Sequence, residues 1–341
     1  MRRKINLRSK NLSAVIYALI AALLYGVNAP FSKLLLEKIN PVFMAALLYL
    51  GAGLGIGIIY VFHDRSGQEK LTRQDLPYVI GMILLDSIAP ILLMAGIKLG
   101  TSSGAALIGN FEIAATAIFA LLLFHEKISG VLCVAICFIT ISGLILSYDG
   151  GGIIFKGSLL VACATLCWGL ENNCTRSIAD KDTYQIVAIK GIFSGLCSLV
   201  TAIFMNESAP ELIYIFPALL LGFISYGLSI FTYIRAQETL GAAKTSAYYA
   251  AGPFMGAIFS FVLLNESLSA GYITAFFIML GGTLLVIYDT LKPIHTHEHT
   301  HTFTHYHGGR LHTHTITHTH GHRHYSNKVS MHDHKHLISS L

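Results

Sequence analysis

Charged residues are scarce in this chain of 341 residues. Asp, Glu, Lys and Arg together make up 12% of the sequence, whereas hydrophobic residues make up 54%. A soluble domain devotes about a quarter of its residues to those four charged types. Half that share is too little to coat a water-facing surface, so the composition excludes a water-soluble domain over most of the length.

Catalytic and nucleotide-binding motifs are also missing. The sequence contains neither a Walker loop nor a nucleophile elbow, so ATP-driven transport and hydrolysis have no support, and we expect no enzyme. The segment GAGLGIG, residues 51–57, lacks the strand–turn–helix setting of a phosphate loop, and its glycines four residues apart favour close helix packing instead. We expect no required cofactor and no nucleic-acid partner.

Apolar blocks of about twenty residues are abundant, and this is the length that crosses the hydrocarbon core of a bilayer. Six blocks contain no charge and begin at residues 11, 42, 128, 212, 245 and 268. Four more contain one or two charges each and occupy about 76–98, 101–124, 157–178 and 183–206. The blocks predict an all-α integral membrane protein with ten transmembrane helices.

The basic residues indicate how these helices are oriented. With loops assigned alternately from a cytoplasmic N-terminus, the cytoplasmic segments hold eighteen Lys and Arg, and the outer loops hold three, Lys38, Lys98 and Lys156. Cytoplasmic loops of membrane proteins carry such an excess. We therefore expect a multi-pass protein of the cytoplasmic (plasma) membrane with both termini on the cytoplasmic side.

The two halves of the chain resemble each other. LYGVNAPFSKLL at residues 24–35 aligns with CWGLENNCTRSI at 167–178, which pairs Gly26 with Gly169, and a later alignment pairs Glu126 with Glu266. Each half has five spans, an odd number, so the halves form inverted repeats, a construction that recurs in secondary transporters. The expected divisions are a cytoplasmic segment 1–11, repeats 12–149 and 150–292, and a tail 293–341.

These stretches resemble the drug/metabolite transporter superfamily, specifically its EamA-like members, over about residues 12–290. The resemblance rests on ALLYGVNAPFSKLLL and TSSGAALIGNFEIAATAIFALLLFHEKIS in the first half, and on ATLCWGLENNCTRSI and TSAYYAAGPFMGAIFSFVLLNESLS in the second. It implies ten helices in two repeats and export of small metabolites. Where such proteins often have a Glu-Pro pair in the fourth helix, Glu112 is followed by Ile113 here.

Two carboxylates interrupt the apolar spans. Asp86 and Glu112 lie near the middle of theirs, where a charged side chain costs about 3 kcal/mol on insertion scales. Such residues usually face a cavity and can carry the proton of a coupled exporter, although hydrogen bonding to polar groups on neighbouring helices is the alternative. At the loops, Glu126 and Glu266 are expected to cap the helix that follows each of them.

Further polar and aromatic residues are candidates for contact with substrate. Asn28, followed by Pro30, is expected to break the first helix, and the matching position in the second half contains Glu171 and Asn172. Lys190 either extends to the cytoplasmic interface, which we favour, or pairs with Glu171. Trp168, Tyr248 and Tyr249 either line an aromatic cavity or serve packing and interfacial anchoring.

A histidine-rich tail follows the last span. Fifteen of the seventeen histidines lie in it, many separated by a single residue that is often threonine. Neutral imidazole suits Zn, Ni, Co and Cu, so we expect weak divalent-metal sites in a tail that is disordered without metal. The candidate ligands are His295, His297, His299, His301, His305, His307, His312, His314, His318, His320, His322, His324, His332, His334 and His336.

Three functions compete. The first is a secondary exporter of small organic metabolites that works by alternating access, with proton coupling as an option. The second is an exporter of divalent metal or a metal chelate, with the tail as sensor or collector, and the third is a non-transporting receptor or scaffold. No histidine lies within a span, since His63 and His125 sit at loop ends. This absence favours an organic substrate.

Overall fold

Apolar helices make up the first of two units in the computed structural model, and a hairpin lies in the second. The structure describes residues 2–62, 69–124, 129–148, 151–178, 181–240, 245, 248–290, 294–307 and 310–323. The first unit is Met1–Thr290 and the second is Leu291–Leu341.

The helices of the first unit follow the two halves of the sequence. The first half contains α1 (Arg2–Gly26), α2 (Asn28–Leu35), α3 (Pro41–Phe62), α4 (Leu76–Leu99), α5 (Ser102–Ile108), α6 (Phe111–Phe124) and α7 (Gly130–Tyr148). The second half contains α8 (Gly151–Arg176), α9 (Thr183–Phe204), α10 (Leu212–Gly222), α11 (Ser229–Leu240), α12 (Gly252–Leu264) and α13 (Ala270–Thr290). A short 3-10 helix, Arg73–Asp75, precedes α4, and a π-helix, Phe223–Leu228, joins α10 to α11.

The lengths and surfaces of these helices fit a bilayer. Among the described residues, nine helical segments are long and apolar enough to cross a membrane, and Gly252–Leu264 is a shorter apolar helix. The outer surface carries large apolar side chains such as Phe62, Phe204 and Leu212, which are 84%, 81% and 83% exposed. Such a surface is stable against lipid and not against water, which confirms the predicted all-α membrane fold.

The packing of the helices shows the relation between the halves. The third helix, α3, packs on α9, and α7 packs on α13, so the second span meets the seventh and the fifth meets the tenth. The third span, α4, packs on the sixth, α8, while the first span, α1, packs on the eighth through α11. If each span of one half is replaced by the corresponding span of the other half, the same set of helix contacts results: the contact between spans three and six becomes the one between spans eight and one. The five-helix repeats are therefore related by pseudo-two-fold symmetry, in inverted orientation.

Glycines aligned between the repeats occupy equivalent places in this arrangement. A Cβ added to Gly26 would lie 3.0 Å from the carbonyl oxygen of Gly252 on α12, in the ninth span. A Cβ added to Gly169 would lie 2.5 Å from the Cβ of Ala115 on α6, in the fourth span. Both glycines permit a close helix contact across the two halves, so the sequence alignment of Gly26 with Gly169 has a structural counterpart.

The glycine-rich segment of α3 serves helix packing, as predicted. A Cβ at Gly53 would lie 2.4 Å from the backbone nitrogen of Ile192, and one at Gly191 would lie 2.5 Å from the Cα of Gly53. On another face of α3, a Cβ at Gly51 would lie 2.0 Å from the carbonyl oxygen of Leu219. Small residues bring α3 into backbone contact with both α9 and α10.

The carboxylate of Glu266 caps a helix, but not the one predicted. It accepts hydrogen bonds from the backbone nitrogens of Ser102, at 2.7 Å, and Ser103, at 3.0 Å. These N–H groups begin α5 in the other repeat and have no partner within their own helix, so they attract a carboxylate. The prediction that Glu266 caps the following helix, α13, is therefore wrong. The side chain of Glu126 lies outside the described residues.

The second unit contains two antiparallel strands, β1 (Ile294–His307) and β2 (Arg310–Arg323). The composition predicts a tail that is disordered without metal, whereas these two segments form paired strands here. Threonine alternates with histidine along both strands, and β-branched residues favour extended backbone. Each strand also supplies the other with hydrogen-bond partners, which an isolated segment lacks. Residues 291–293, 308–309 and 324–341 lie outside the described residues.

Candidate functional site

Three helix interruptions lie within the spans of the first unit. One separates α1 from α2 at Val27, a second separates α5 from α6 at 109–110, and a third is the turn at 250–251 that precedes α12. Pro30 has no N–H to bond the carbonyl of Gly26, so the predicted break at Asn28 is confirmed. Discontinuous helices with exposed backbone groups are tolerated in a membrane where they line a cavity.

A small cavity, with a volume of about 20 Å³, opens beside these interruptions. Its wall comes from both repeats and consists mainly of small residues with two aromatic rings and one amide. The lining residues are Tyr25, Gly26, Asn28, Ala29, Leu93, Ala105, Ala106, Gly109, Trp168, Gly252, Pro253 and Gly256. None of these side chains is charged, so the cavity suits an uncharged or weakly polar group of a small molecule.

A buried ionic cluster adjoins the cavity behind Trp168. The ammonium of Lys190 lies 2.9 Å from Oδ2 of Asp86 and 3.0 Å from Oε1 of Glu171. The side chain of Asp86 is fully buried, and its Oδ1 accepts hydrogen bonds from the Tyr49 hydroxyl, at 2.9 Å, and from Trp168 Nε1, at 3.1 Å. The cluster therefore joins α3, α4, α8 and α9, and Trp168 connects it to the cavity wall.

Ion pairs with buried carboxylates hold the side chain of Lys190 inside the helix bundle. The interpretation that it extends to the cytoplasmic interface is wrong, and the alternative partner, Glu171, is correct, with Asp86 as a second partner. A lone ammonium or carboxylate is costly in this setting, whereas a cation between two anions satisfies all three groups. Glu171 also accepts a hydrogen bond from the hydroxyl of Thr175, one turn further along α8.

The second carboxylate of the first half, Glu112, has neutral hydrogen-bond partners. It lies in the first turn of α6, directly after the interruption at 109–110, and is half-buried. Its Oε1 accepts a hydrogen bond of 2.8 Å from Asn172 Nδ2, which also lies 3.2 Å from the hydroxyl of Thr116. Within the part of the chain that the structure describes, no Lys or Arg forms an ion pair with Glu112.

Tyrosines form a second cluster, which includes the cavity-lining Tyr25. The ring of Tyr226 lies 5.3 Å from that of Tyr49 and 6.3 Å from that of Tyr25, measured between centroids. Tyr25 in turn lies 5.6 Å from Tyr249. The Tyr226 hydroxyl accepts a hydrogen bond of 3.1 Å from Asn28 Nδ2. Aromatic rings therefore connect the cavity wall to the ionic cluster through Tyr49.

The EamA-like transporter family matches this chain over two segments, residues 12–148 and 155–288. The chain belongs to that family. The two matched segments fall one in each repeat. The EamA-like resemblance predicted from the sequence is confirmed, and the protein is a membrane transporter.

Two further comparisons agree with this EamA-like membership. A protein of Methanothermobacter thermautotrophicus (strain Delta H), described as an uncharacterized transporter, is 25% identical over 301 residues, with 82% of this chain and 88% of the relative covered. A solved structure described as a crystal structure of protein superposes with a TM-score of 0.60 at 17% identity, and the match covers 82% of this chain and 97% of that one. At that identity the second comparison supports the fold alone.

Two of the predicted site residues of this EamA-like chain, Asn28 and Trp168, line the cavity. Asp86, Glu171 and Lys190 form the ionic cluster that Trp168 joins to the cavity wall, and Glu112 pairs with Asn172. Tyr249 belongs to the tyrosine cluster, whereas Tyr248 is half-buried and is not among the described lining residues. Of the fifteen tail histidines, eleven belong to the hairpin strands, and His324, His332, His334 and His336 lie outside the described residues.

Asn110 is a site residue that the sequence did not single out. It follows Gly109 in the interruption between α5 and α6 and is 1% exposed. Neither Nδ2 nor Oδ1 has a hydrogen-bond partner among the described residues. An unsatisfied buried polar group costs about 1–3 kcal/mol, so such groups usually have a role in another state or with a ligand. The signal available in the sequence was an adjacent Gly-Asn pair within an otherwise apolar span.

Proposed function

We propose that this EamA-like protein is a secondary transporter that exports small organic metabolites across the cytoplasmic membrane by alternating access. The observation that supports this most directly is the cavity, because both inverted repeats supply its wall at the points where their helices are interrupted. Substrate sites at the interface of inverted repeats, formed by discontinuous helices, recur in secondary transporters. No enzymatic step is part of the proposal.

The chemistry of the wall supports an organic substrate. Aromatic faces at Tyr25 and Trp168 favour a flat or apolar molecule, and the amide of Asn28 offers a hydrogen bond to a polar substituent. Export of a divalent metal is the weaker alternative. The described residues of the first unit contain no group of three or more His, Cys, Asp or Glu placed to hold a metal ion.

Glu112 is the carboxylate that we propose for proton coupling. Asp86 and Glu171 both form ion pairs with Lys190, so protonating either of them would weaken an existing ion pair. Glu112 accepts its side-chain hydrogen bond from the neutral amide of Asn172 and remains half-buried. A carboxylate with neutral partners can gain and lose a proton without breaking an ion pair, and Glu112 lies directly after the helix interruption that contributes Gly109 to the cavity wall.

Alternating access follows from the symmetry of the repeats. We propose that the halves rock about the pseudo-two-fold axis and expose the cavity to each side of the bilayer in turn, with both termini in the cytoplasm. The excess of Lys and Arg in the predicted cytoplasmic segments supports that orientation. The export direction rests on the family resemblance.

Filling the cavity tests the proposal. The substrate is first sought by comparing metabolites inside and outside cells with and without the gene, and uptake is then measured in proteoliposomes. Ala106→Leu adds volume to the cavity wall, so we expect uptake to fall at least about tenfold while the protein remains folded. Ala270→Leu is the matched control, because Ala270 is exposed at the start of α13.

The control variant should transport at the normal rate. Two results contradict the proposal: normal uptake by a folded Ala106→Leu protein, or no difference in any metabolite between the two cell lines. The first shows that substrate does not pass through this cavity, and the second argues against export of organic metabolites.

A further inference from the structure

The register of the tail hairpin places histidine opposite histidine. Four directly paired positions contain histidine on both strands, namely His295 with His322, His297 with His320, His299 with His318, and His305 with His312. Directly opposite residues of an antiparallel pair have Cβ atoms about 4.5–5.5 Å apart. Successive pairs along a strand follow at about 7 Å, or two residues.

All histidines within the two strands fall on one face of the hairpin. Residues alternate between the faces of a strand, and directly paired residues share a face. In β1 the histidines have odd numbers, in β2 they have even numbers, and the register pairs odd positions with even ones. The shared face therefore carries His295, His297, His299, His301, His305, His307, His312, His314, His318, His320 and His322.

The opposite face contains mainly threonine, and this separation depends on the register. A shift of one residue between β1 and β2 would place the histidines of the two strands on opposite faces. The observed pairing is thus the one that collects eleven imidazole-bearing residues on one surface. Neutral imidazole is a preferred ligand of Zn²⁺, Ni²⁺, Cu²⁺ and Co²⁺.

We propose that this histidine face binds several borderline divalent metal ions, with the facing histidine pairs as binding units. Four facing pairs set the expected capacity at up to four ions. Binding to paired strands stabilises the hairpin, because a ligand that binds the paired form shifts the equilibrium toward it. The proposal concerns the second unit alone and holds whether or not the first unit transports an organic solute.

Moving histidines between faces, without changing their number, tests the proposal. In the single-exchange variant, four histidines of β2 trade places with the residue that follows each of them. The substitutions are His312→Thr, Thr313→His, His314→Thr, Thr315→His, His318→Thr, Thr319→His, His320→Gly and Gly321→His. The exchange preserves composition and the alternating spacing of most histidines, but it leaves His295 with His322 as the remaining facing pair of the original four.

A double-exchange variant serves as the matched control. It adds exchanges in β1 that restore facing pairs on the opposite face of the hairpin. The added substitutions are Thr296→His, His297→Thr, Glu298→His, His299→Glu, Thr304→His and His305→Thr. A chain that binds metal through neighbouring histidines without strand pairing does not distinguish the original sequence from the single exchange, because both have the same histidine content and most of the alternating spacing.

Zn²⁺ and Ni²⁺ binding is measured by titration calorimetry on the full-length protein in detergent, purified without a polyhistidine tag. We expect the original sequence and the double exchange to bind alike, and the single exchange to bind at least about tenfold more weakly, since the second ligand of each unit is no longer close. Truncation after Lys292 should abolish this binding and leave transport intact. Equal affinity in all three full-length proteins, or undiminished binding after truncation, would overturn the proposal.

Discussion

Removing the ammonium of Lys190 should destabilise the protein more than any substitution of an exposed lysine. Lys190 lies between Asp86 and Glu171, whose side chains are 0% and 2% exposed. In Lys190→Met, two buried carboxylates remain close together without a cation. Breaking a buried ion pair by removing one partner costs about 3–5 kcal/mol, and we expect a loss in that range for the free energy of unfolding.

The measurement is denaturant unfolding of purified protein in detergent, followed by circular dichroism. Lys38→Met is the matched control, because Lys38 is exposed and its replacement should change the free energy of unfolding by less than about 0.5 kcal/mol. A triple variant, Lys190→Met with Asp86→Asn and Glu171→Gln, removes all three charges together. Its stability should return to within about 1–2 kcal/mol of the original, since neutral replacement of a buried ion group is often tolerated.

Two outcomes would refute this reasoning. If Lys190→Met is as stable as Lys38→Met, the cluster is solvated in the membrane protein and its charges need no balance. If the triple variant is less stable than Lys190→Met alone, the residues matter for packing rather than for charge, and the electrostatic account of the cluster fails.

Three more predictions follow from the first unit. Glu112→Gln should remove the pH dependence of transport while the protein stays folded, and unchanged pH dependence in proteoliposomes would count against a coupling role. Gly53→Ala should lower the free energy of unfolding by about 1–3 kcal/mol because its Cβ meets the backbone of α9, whereas Gly143→Ala, with open space around it, should be neutral or slightly stabilising. In intact cells whose native cysteines are replaced, an impermeant thiol reagent should label a cysteine placed in 150–156 and not one in 63–75; the reverse pattern would invert the topology.

The sequence predicts the helices and the repeat well because both depend on local information. Bilayer thickness determines the length of each apolar block, and an odd number of spans per repeat determines the inversion. The break at Asn28 was predictable for the same reason, since Pro30 removes a hydrogen bond within one turn.

The partners of polar side chains were harder to predict because they depend on which helices are neighbours. Lys190 meets Asp86 only because α9 and α4 both pack around α3, which no pattern within α9 indicates. Glu266 caps α5 of the other repeat, some 160 residues away in sequence. Tyr226 lies in a π-helix, for which its apolar surroundings gave no sequence signal.

The strands of the tail also have a signal in the sequence. Alternation of His and Thr was visible in the sequence, and two adjacent glycines, Gly308 and Gly309, separate the segments that form the strands. A Gly-Gly pair between alternating segments is a hairpin signal. Low apolar content predicts disorder, whereas strand pairing supplies backbone hydrogen bonds without a hydrophobic core.

The two repeats share a fold but differ in their charge, and this difference bears on the energetics of the transport cycle. Asn28, aligned with Glu171, bonds Tyr226 of the eighth span, while Glu171 shares Lys190 with Asp86 of the third. The neutral contact of Asn28 in the first repeat therefore corresponds to an ionic contact of Glu171 in the second. With identical repeats, the inward-open and outward-open conformations would be equal in energy. In the proposed alternating-access cycle, we therefore expect the two open conformations of this protein to differ in energy even without a substrate.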